Sequence, residues 1–266
     1  GCKLLKHLCK ILAPTGNTAF NIGGATACSQ LWLPVCNRRK SQMSLQTLEI
    51  FQQKWSKEIK YVIIDEISMI GQEQLYYIDD RLKQITGNKS DAFGGLNVIA
   101  VGDFAQLPPV GDTPLWRDLG ATASQKKQCG RFLYESFDKS ITLDKVIRQD
   151  DFELIDILDR ARLGTWRKSD WKFLQKCWPS NLTIEDRNKF DDQLIRLFAK
   201  NKTCNAFNFE RLHQLKQPIA KIKSINSNSN AQQAISKDAR GLWHTLHLAK
   251  GAKIRLTENL WTEAGL

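Results

Sequence analysis

The hydrophobic pattern is strongest in two short apolar runs, at residues 61–64 and 96–101. The first run is apolar throughout and the second at every position except Asn97, which is typical of strands buried on both faces of a mostly parallel sheet. Between the runs, apolar side chains recur at helical spacing and predict a helix over residues 72–85, at Leu75, Ile78, Leu82 and Ile85. A strand, a crossover helix and a second strand within about thirty residues predict an α/β fold.

Polar residues follow both predicted strands directly. Asp65 and Glu66 come after the first strand, and residues 102–110, with the sequence GDFAQLPPV, come after the second. Ligands of parallel sheets bind at the carboxyl ends of the strands, so these residues are expected at one site. One carboxylate can hold Mg²⁺ on a nucleotide while its neighbour polarises a water molecule. The alternative is that the two acids are solvated charges or cap a following helix.

Five sequence blocks together resemble the PIF-type (petite integration frequency) DNA helicases, which include the Helitron-like helicases. The segments IIDEISMI and FGGLNVIAVGDFAQLPPVG resemble motifs II and III of that family. Residues 12–16 with residues 20–24 resemble motif Ia. The later blocks are similar to the family's next motif, which contains an arginine-glutamine pair, and to the start of its second motor domain: residues 143–164, then 194–199, 205–215 and 248–253.

The resemblance implies an α/β architecture with RecA-like motor domains of the P-loop NTPase type. The first motor domain is expected at residues 1–138, with a small wedge-like insertion around residues 31–60. The start of a second RecA-like domain is expected at residues 139–266. No Gly-Lys dipeptide occurs in the sequence, so the P-loop pattern G-x-x-x-x-G-K-[ST] is absent from these residues. We therefore expect an interior fragment, truncated at both ends and lacking the P-loop lysine, or the product of a decayed gene.

The resemblance also implies an ATP and Mg²⁺ site. Asp65 would hold Mg²⁺, and Glu66 would activate the attacking water. Gln106 would contact the γ-phosphate, although a glutamine in this proline-rich turn could simply cap the turn. Arg148 would act as an arginine finger, which stabilises charge on the γ-phosphate oxygens. The alternative for Arg148 is a surface salt bridge on a helix.

DNA contacts are implied for the motif Ia segment. Pro14, Thr15 and Gly16 end a predicted strand, and their loop could offer backbone N–H groups and a hydroxyl to a phosphate. Phe20 and Asn21 could add stacking and a polar contact with a base. A place for Phe20 in the hydrophobic core is the competing interpretation.

The insertion around residues 31–60 combines basic and aromatic residues. Residues 38–40 are Arg-Arg-Lys, which suits contact with a single strand. Phe51 and Trp55 are four residues apart, so a helical packing pair explains these two aromatics at least as well.

Charge and cysteine usage agree with this interpretation without proving it. The 39 Lys and Arg against 28 Asp and Glu give a net charge of +11, which favours polyanionic partners. The family resemblance implies that this partner is DNA, both single-stranded and as a forked duplex. Seven scattered cysteines without a C-x-x-C pair indicate a reducing compartment, and we expect an intracellular protein, in the nucleus rather than the mitochondrion. No apolar run reaches eighteen residues, so no membrane span is expected. No obligate protein partner is indicated.

Three functions follow as hypotheses. The first is an ATP-dependent DNA helicase, with 5′-to-3′ polarity by family resemblance, in repair, recombination and telomere or genome maintenance. The fragment alone is expected to be inactive in that role. The second is a non-catalytic remnant of a transposon helicase that binds single-stranded DNA. The third is a metal-dependent phosphohydrolase using Asp65, Glu66 and Asp103, which would act without DNA.

Overall fold

The computed structural model describes residues 7–34, 43–55, 58–193, 195–226 and 242–254, with side chains omitted at 190–193. The chain divides into two compact units, Gly1–Trp166 and Arg167–Leu266. The motor-domain boundary expected between residues 138 and 139 stays a prediction, because compactness alone does not mark the end of a functional motor domain.

The first unit is built on a four-stranded parallel sheet with the order β2-β1-β3-β4. Its strands are β1 (Cys9–Ala13), β2 (Ala25–Thr26), β3 (Tyr61–Ile64) and β4 (Asn97–Ala100). Leu12 of β1 lies opposite Ile64 of β3, which lies opposite Ala100 of β4. The α/β prediction and both predicted strands are confirmed, the second in slightly shorter form.

Six helices accompany this sheet in the described part of the first unit. They are α1 (Gly16–Asn21), α2 (Ala27–Gln30), α3 (Leu45–Lys54), α4 (Gln72–Thr86), α5 (Gln125–Glu135) and α6 (Phe152–Leu163). Short 3₁₀ turns occur at Ile67–Met69 and Ala92–Gly95. The predicted crossover helix is therefore confirmed as α4, which ends where Gly87 adopts φ 76°.

One face of the sheet forms the main core. Leu12, Val62 and Ile64 are fully buried there and share a cluster with the four apolar positions that predicted α4. On the opposite face Ile99 of β4 is 48% exposed. Successive side chains of a strand point to opposite faces of the sheet. The sequence predicted that both faces are buried, but within the described residues only the face of Leu12, Val62 and Ile64 is fully buried.

The wedge-like insertion is only partly described. Helix α3 lies within it, and Trp55, directly after α3, is 6% exposed. Phe51 is half-buried and packs against the same core cluster as Trp55. Both aromatic side chains therefore pack in the core, which favours the packing interpretation, while the basic residues 38–40 lie outside the described residues.

The second unit contains three helices and a small antiparallel sheet among its described residues. The elements are α7 (Lys168–Gln175), α8 (Ile184–Gln193), α9 (Asn201–Gln214), β5 (Ala220–Lys223) and β6 (Thr245–Leu248). Their assignment to the start of a second RecA-like domain stays a prediction. Within the ranges that the structure describes, no helix has the length and apolar character needed to cross a membrane.

Candidate functional site

Asp65 lies at the carboxyl end of β3, between the ends of β1 and β4. Its backbone N–H donates to the carbonyl of Leu12 at 2.9 Å, which extends the pairing with β1. On the other side, the Val101 N–H donates to the carbonyl of Ile64 at 2.8 Å. Asp65 is half-buried at this edge. The structure therefore places the acidic pair where ligands of parallel sheets bind.

Glu66 adopts a left-handed backbone conformation, with φ 52° and ψ 47°. This region costs a residue with a Cβ about 1–2 kcal/mol. Two hydrogen bonds hold the turn: the Glu66 N–H donates to Asp65 Oδ1 at 3.0 Å, and the Ile67 N–H donates to the Val101 carbonyl at 2.9 Å. A conformation so held is typical of functional sites, where the surrounding structure offsets the strain.

Neither acid makes a side-chain capping hydrogen bond to a helix within the described residues, so the capping part of the alternative interpretation is wrong, while the interpretation as solvated charges stays open. The Glu66 side chain makes no capping hydrogen bond to the 3₁₀ turn that follows it. The first turn of α4 is instead bound by Asp112, whose Oδ2 accepts from the Gln74 N–H at 3.0 Å. Asp112 was not predicted from the sequence, because it lies 38 residues from its partner along the chain.

Asp65 is suited to coordinate Mg²⁺ together with the phosphates of a nucleotide. Its Oδ1 accepts from the Glu66 N–H, and Oδ2 has no hydrogen-bond partner within the described part of the chain. The described residues contain no group of three or more His, Cys, Asp or Glu that could enclose a metal ion. Mg²⁺ commonly uses one or two carboxylates, with phosphate oxygens and water completing its octahedron. The available Oδ2 of Asp65 suits that mode.

Gln106 lies in a tight turn that follows β4. Its backbone N–H donates to the Asp103 carbonyl at 2.9 Å, and its side-chain Nε2 reaches Asp103 Oδ2 at 3.4 Å. The Ala105 N–H donates to Asp103 Oδ1 at 2.9 Å. The exposed Gln106 side chain thus has the local turn contact considered from the sequence. A contact with a γ-phosphate stays a prediction.

Arg162, in the last turn of α6, binds the same carboxylate. Its Nη1 lies 2.5 Å from Asp103 Oδ2, although the two residues are 59 positions apart. The Ala105 N–H first, and then Arg162 and Gln106, hold the pKa of Asp103 below its ordinary value against an opposing effect of burial. Sequence reasoning missed Arg162, since an arginine in a helical block carries no signal of a distant carboxylate partner.

Arg148 lies in an exposed, non-helical segment four residues before α6. It has no hydrogen-bond or ion-pair partner within the described ranges, so the interpretation as a salt bridge on a helix is wrong. The structure does not bring Arg148 into contact with Asp65 or Glu66. Its assignment as an arginine finger stays a prediction.

The motif Ia segment follows β1 at the same edge of the sheet as Asp65. Thr15 caps α1: its Oγ1 accepts from the Thr18 N–H at 3.3 Å and lies 2.9 Å from the Thr18 hydroxyl. Gly16 is exposed and Pro14 half-buried. The cap gives Thr15 a structural role besides the predicted DNA contact.

The aromatic position of this segment is open to solvent. Phe20 is 78% exposed, so the competing core interpretation of Phe20 is wrong. Asn21 beside it is exposed as well. Both side chains are available for a ligand, and their DNA contacts stay predictions.

Comparisons with known proteins identify the family of this chain. Residues 5–165 match the family model of the PIF1-like helicases. The chain is 27% identical over 267 residues to the ATP-dependent DNA helicase RRM3 of Saccharomyces cerevisiae, covering 96% of this chain and 34% of that protein. It is 30% identical over 254 residues to the ATP-dependent DNA helicase Pif1 of Bdellovibrio bacteriovorus, covering 94% of this chain and 53% of that protein. The chain therefore spans about a third to a half of the length of these relatives.

The fold is shared with solved helicase structures. A structure of two coordinating Pif1 helicases at forked double-stranded DNA matches with a TM-score of 0.62 and 22% identity, over 90% of this chain and 54% of that one. This likeness confirms the predicted RecA-like α/β fold. Since the family model covers more than half of the residues, the chain belongs to the PIF1-like helicase family.

Proposed function

We propose that the chain forms part of the ATP-driven motor of a DNA helicase. The observation that carries the proposal is the convergence of Asp65, Glu66 and the Gln106 turn at the carboxyl ends of the adjacent strands β3 and β4. The names of the relatives, ATP-dependent DNA helicases, support the same activity. The left-handed conformation of Glu66 adds support, because strain of this kind clusters at active sites.

Each side chain has a distinct role in this proposal. Asp65 holds Mg²⁺, which would neutralise charge on the phosphates of ATP. Glu66 accepts a proton from the attacking water. Gln106 leaves its turn contact to meet the γ-phosphate. Arg148 approaches the same phosphate from the exposed segment before α6, where its guanidinium has no ion-pair partner among the residues that the structure describes.

The DNA strand is proposed to pass along the motif Ia segment. The exposed Phe20 offers a face for base stacking, and Asn21 offers a polar contact. Pro14, Thr15 and Gly16 form the loop that would meet the phosphate backbone. The net charge of +11 favours this partner, and a similar structure was solved at a DNA fork. Single-stranded and forked DNA are therefore the proposed substrates.

The proposal extends to an intracellular protein that translocates 5′-to-3′ on DNA. Roles in repair, recombination and telomere or genome maintenance, with a nuclear location, rest on family resemblance. They would be tested by the location of the tagged natural protein and by its action on forks of defined polarity.

The deciding experiment compares the full-length natural protein with its Glu66→Gln variant. ATP hydrolysis is measured with and without single-stranded DNA, together with unwinding of a forked duplex. We expect DNA-stimulated hydrolysis in the wild type, and a loss of at least about a hundredfold in kcat for Glu66→Gln. Glu210→Gln, which removes an exposed carboxylate on α9, serves as the matched control and should leave kcat unchanged.

The alternative function, a non-catalytic protein that binds single-stranded DNA, makes the opposite prediction. Wild type and Glu66→Gln would then bind DNA equally and hydrolyse no ATP. Hydrolysis of small phosphoesters without DNA would instead favour the phosphohydrolase hypothesis. In that case Asp103→Asn would be as damaging as Glu66→Gln.

A further inference from the structure

Asp103 joins three hydrogen-bond donors from two distant parts of the first unit. Its Oδ1 accepts from the Ala105 N–H at 2.9 Å, within the turn after β4. Its Oδ2 accepts both from Gln106 Nε2 at 3.4 Å and from Arg162 Nη1 at 2.5 Å. The glutamine that is proposed to meet ATP therefore shares one oxygen atom with an arginine of α6.

This arrangement differs from an ordinary exposed ion pair. The Arg162 side chain is 51% exposed, and pairs of this kind usually contribute little to stability. The Asp103 side chain is 25% exposed, however, and the backbone of its own turn fixes it in place. The Arg162–Asp103 contact therefore contributes more to the positions of these two side chains than to the free energy of unfolding.

The turn that carries Asp103 also packs against the backbone of Glu66, the proposed general base. Gly102, the preceding residue, lies against Glu66 and Ile67: a Cβ at Gly102 would be 2.8 Å from the Ile67 nitrogen and 3.4 Å from the Glu66 carbonyl carbon. A shift of the turn would therefore reach the backbone of Glu66. The Arg162–Asp103 hydrogen bond links this turn to α6, the helix that begins four residues after Arg148.

We propose that Arg162 is a positioning residue for ATP hydrolysis. Through Asp103 it orients the Gln106 side chain and holds the turn after β4 in its position against Glu66. When Gln106 releases Asp103 Oδ2 to meet the γ-phosphate, Arg162 retains the carboxylate, so the turn does not move. The inference rests on the proposed function, because it assigns Arg162 to the reaction at that same site.

The test is a set of variants in the full-length natural protein. Arg162→Gln is expected to lower kcat for DNA-stimulated ATP hydrolysis about tenfold, with KM for ATP within about twofold, because small misplacements of a catalytic group cost rate. Arg162→Lys, which keeps a cation near Asp103, should recover most of kcat. Lys189→Gln is the matched control: it breaks another exposed ion pair, the 3.0 Å contact with Glu185, and should leave kcat unchanged.

Two further measurements separate positioning from a general structural effect. In a Gln106→Ala background, Arg162→Gln should cause a clearly smaller loss of kcat than in the wild type, because the contribution that passes through Gln106 is already removed. The ¹⁵N resonance of the Gln106 side-chain amide should shift in Arg162→Gln and stay in place in Lys189→Gln. Additive losses, or an unmoved Gln106 resonance, would overturn the inference.

The failure of this inference is distinct from failure of the proposed function. If wild type hydrolyses ATP, Glu66→Gln does not, and Arg162→Gln keeps full kcat, then only the role of Arg162 is overturned. If wild type hydrolyses no ATP, the proposed function itself is overturned, and the role of Arg162 in catalysis is overturned with it.

Discussion

Gly102 lies in direct contact with the backbone of Ile67, so the turn after β4 and the turn after β3 form one packed structure. A Cβ at Gly102 would be 2.8 Å from the Ile67 nitrogen and 3.1 Å from its Cγ2. That nitrogen also donates to the Val101 carbonyl, the hydrogen bond that supports the left-handed Glu66. The backbone geometry of Glu66 therefore depends on a glycine just after the neighbouring strand β4.

Gly102→Ala is expected to destabilise the protein by about 1–3 kcal/mol, because the added methyl group must displace backbone atoms. ATP hydrolysis should fall more steeply than stability, since the displaced atoms adjoin Glu66. Urea unfolding and steady-state ATPase measurements would test this. Gly120→Ala has open space around the new methyl group and is the control. Equal stability of the two variants would contradict the expected contact.

The strain at Glu66 predicts a trade of activity against stability. Glu66→Gly should raise the free energy of unfolding by about 0.5–1 kcal/mol, because glycine accepts φ 52° without the Cβ clash. The same change should abolish ATP hydrolysis. Glu66→Gln retains the Cβ and should be inactive without gaining stability. Comparing the two by urea unfolding isolates the backbone contribution, and a Glu66→Gly variant no more stable than Glu66→Gln would count against strain.

Helices α4 and α5 approach each other closely at Gly130. A Cβ there would overlap the carbonyl oxygen of Gln72, at the first residue of α4. Gly130→Ala should therefore cost about 3 kcal/mol or more, through separation of the two helices. The measurement is urea unfolding against Gly120→Ala. A loss below about 0.5 kcal/mol would mean that the helices can separate freely here.

Local pattern predicted the elements that position the site. The apolar runs predicted β3 and β4, and the spacing of Leu75, Ile78, Leu82 and Ile85 predicted α4, because burial in this sheet follows directly from hydrophobic periodicity. The position of Asp65 followed from the rule that parallel strands gather their carboxyl ends at one edge.

Other features depend on contacts that a local pattern does not encode. The left-handed Glu66 is held by two hydrogen bonds, one from its own N–H to the Asp65 carboxylate and one from the Ile67 N–H to the Val101 carbonyl, and glutamate itself has no preference for positive φ. The Arg162–Asp103 pair joins residues 59 positions apart. The sequence did not decide whether Phe20 lies in the core or on the surface, because α1 has only six residues, too few to define an apolar face.

The lowered pKa of Asp103 predicts a pH-dependent contribution to stability. Its donors, the Ala105 N–H first and then Arg162, favour the carboxylate in the folded state. The contribution is therefore complete above the unfolded pKa of about 3.9, and is lost as the pH falls through the lower folded value. Asp103→Asn should be less stable than wild type at pH 7, by at most about 1 kcal/mol given the exposure of Arg162.

The test of this pH effect is unfolding of wild type and Asp103→Asn between pH 7 and pH 2.5. The difference in the free energy of unfolding should shrink below about pH 4. Asp156→Asn, an exposed carboxylate on α6, is the control for a general change in charge. A difference that stayed constant down to the lowest pH would show that the carboxylate is not stabilised by these donors.

The exposure of Phe20 predicts a specific loss of DNA affinity. Base stacking on an aromatic side chain contributes about 1–3 kcal/mol, so Phe20→Ala should weaken binding of single-stranded DNA by about 5- to 150-fold. Stability should hardly change, because the ring is 78% exposed. Phe132→Ala removes another exposed aromatic ring, 71% exposed on α5, and should leave DNA affinity unchanged. Fluorescence anisotropy with a labelled oligonucleotide at two salt concentrations would measure both variants. Equal affinities for the two would place the DNA strand away from the motif Ia segment.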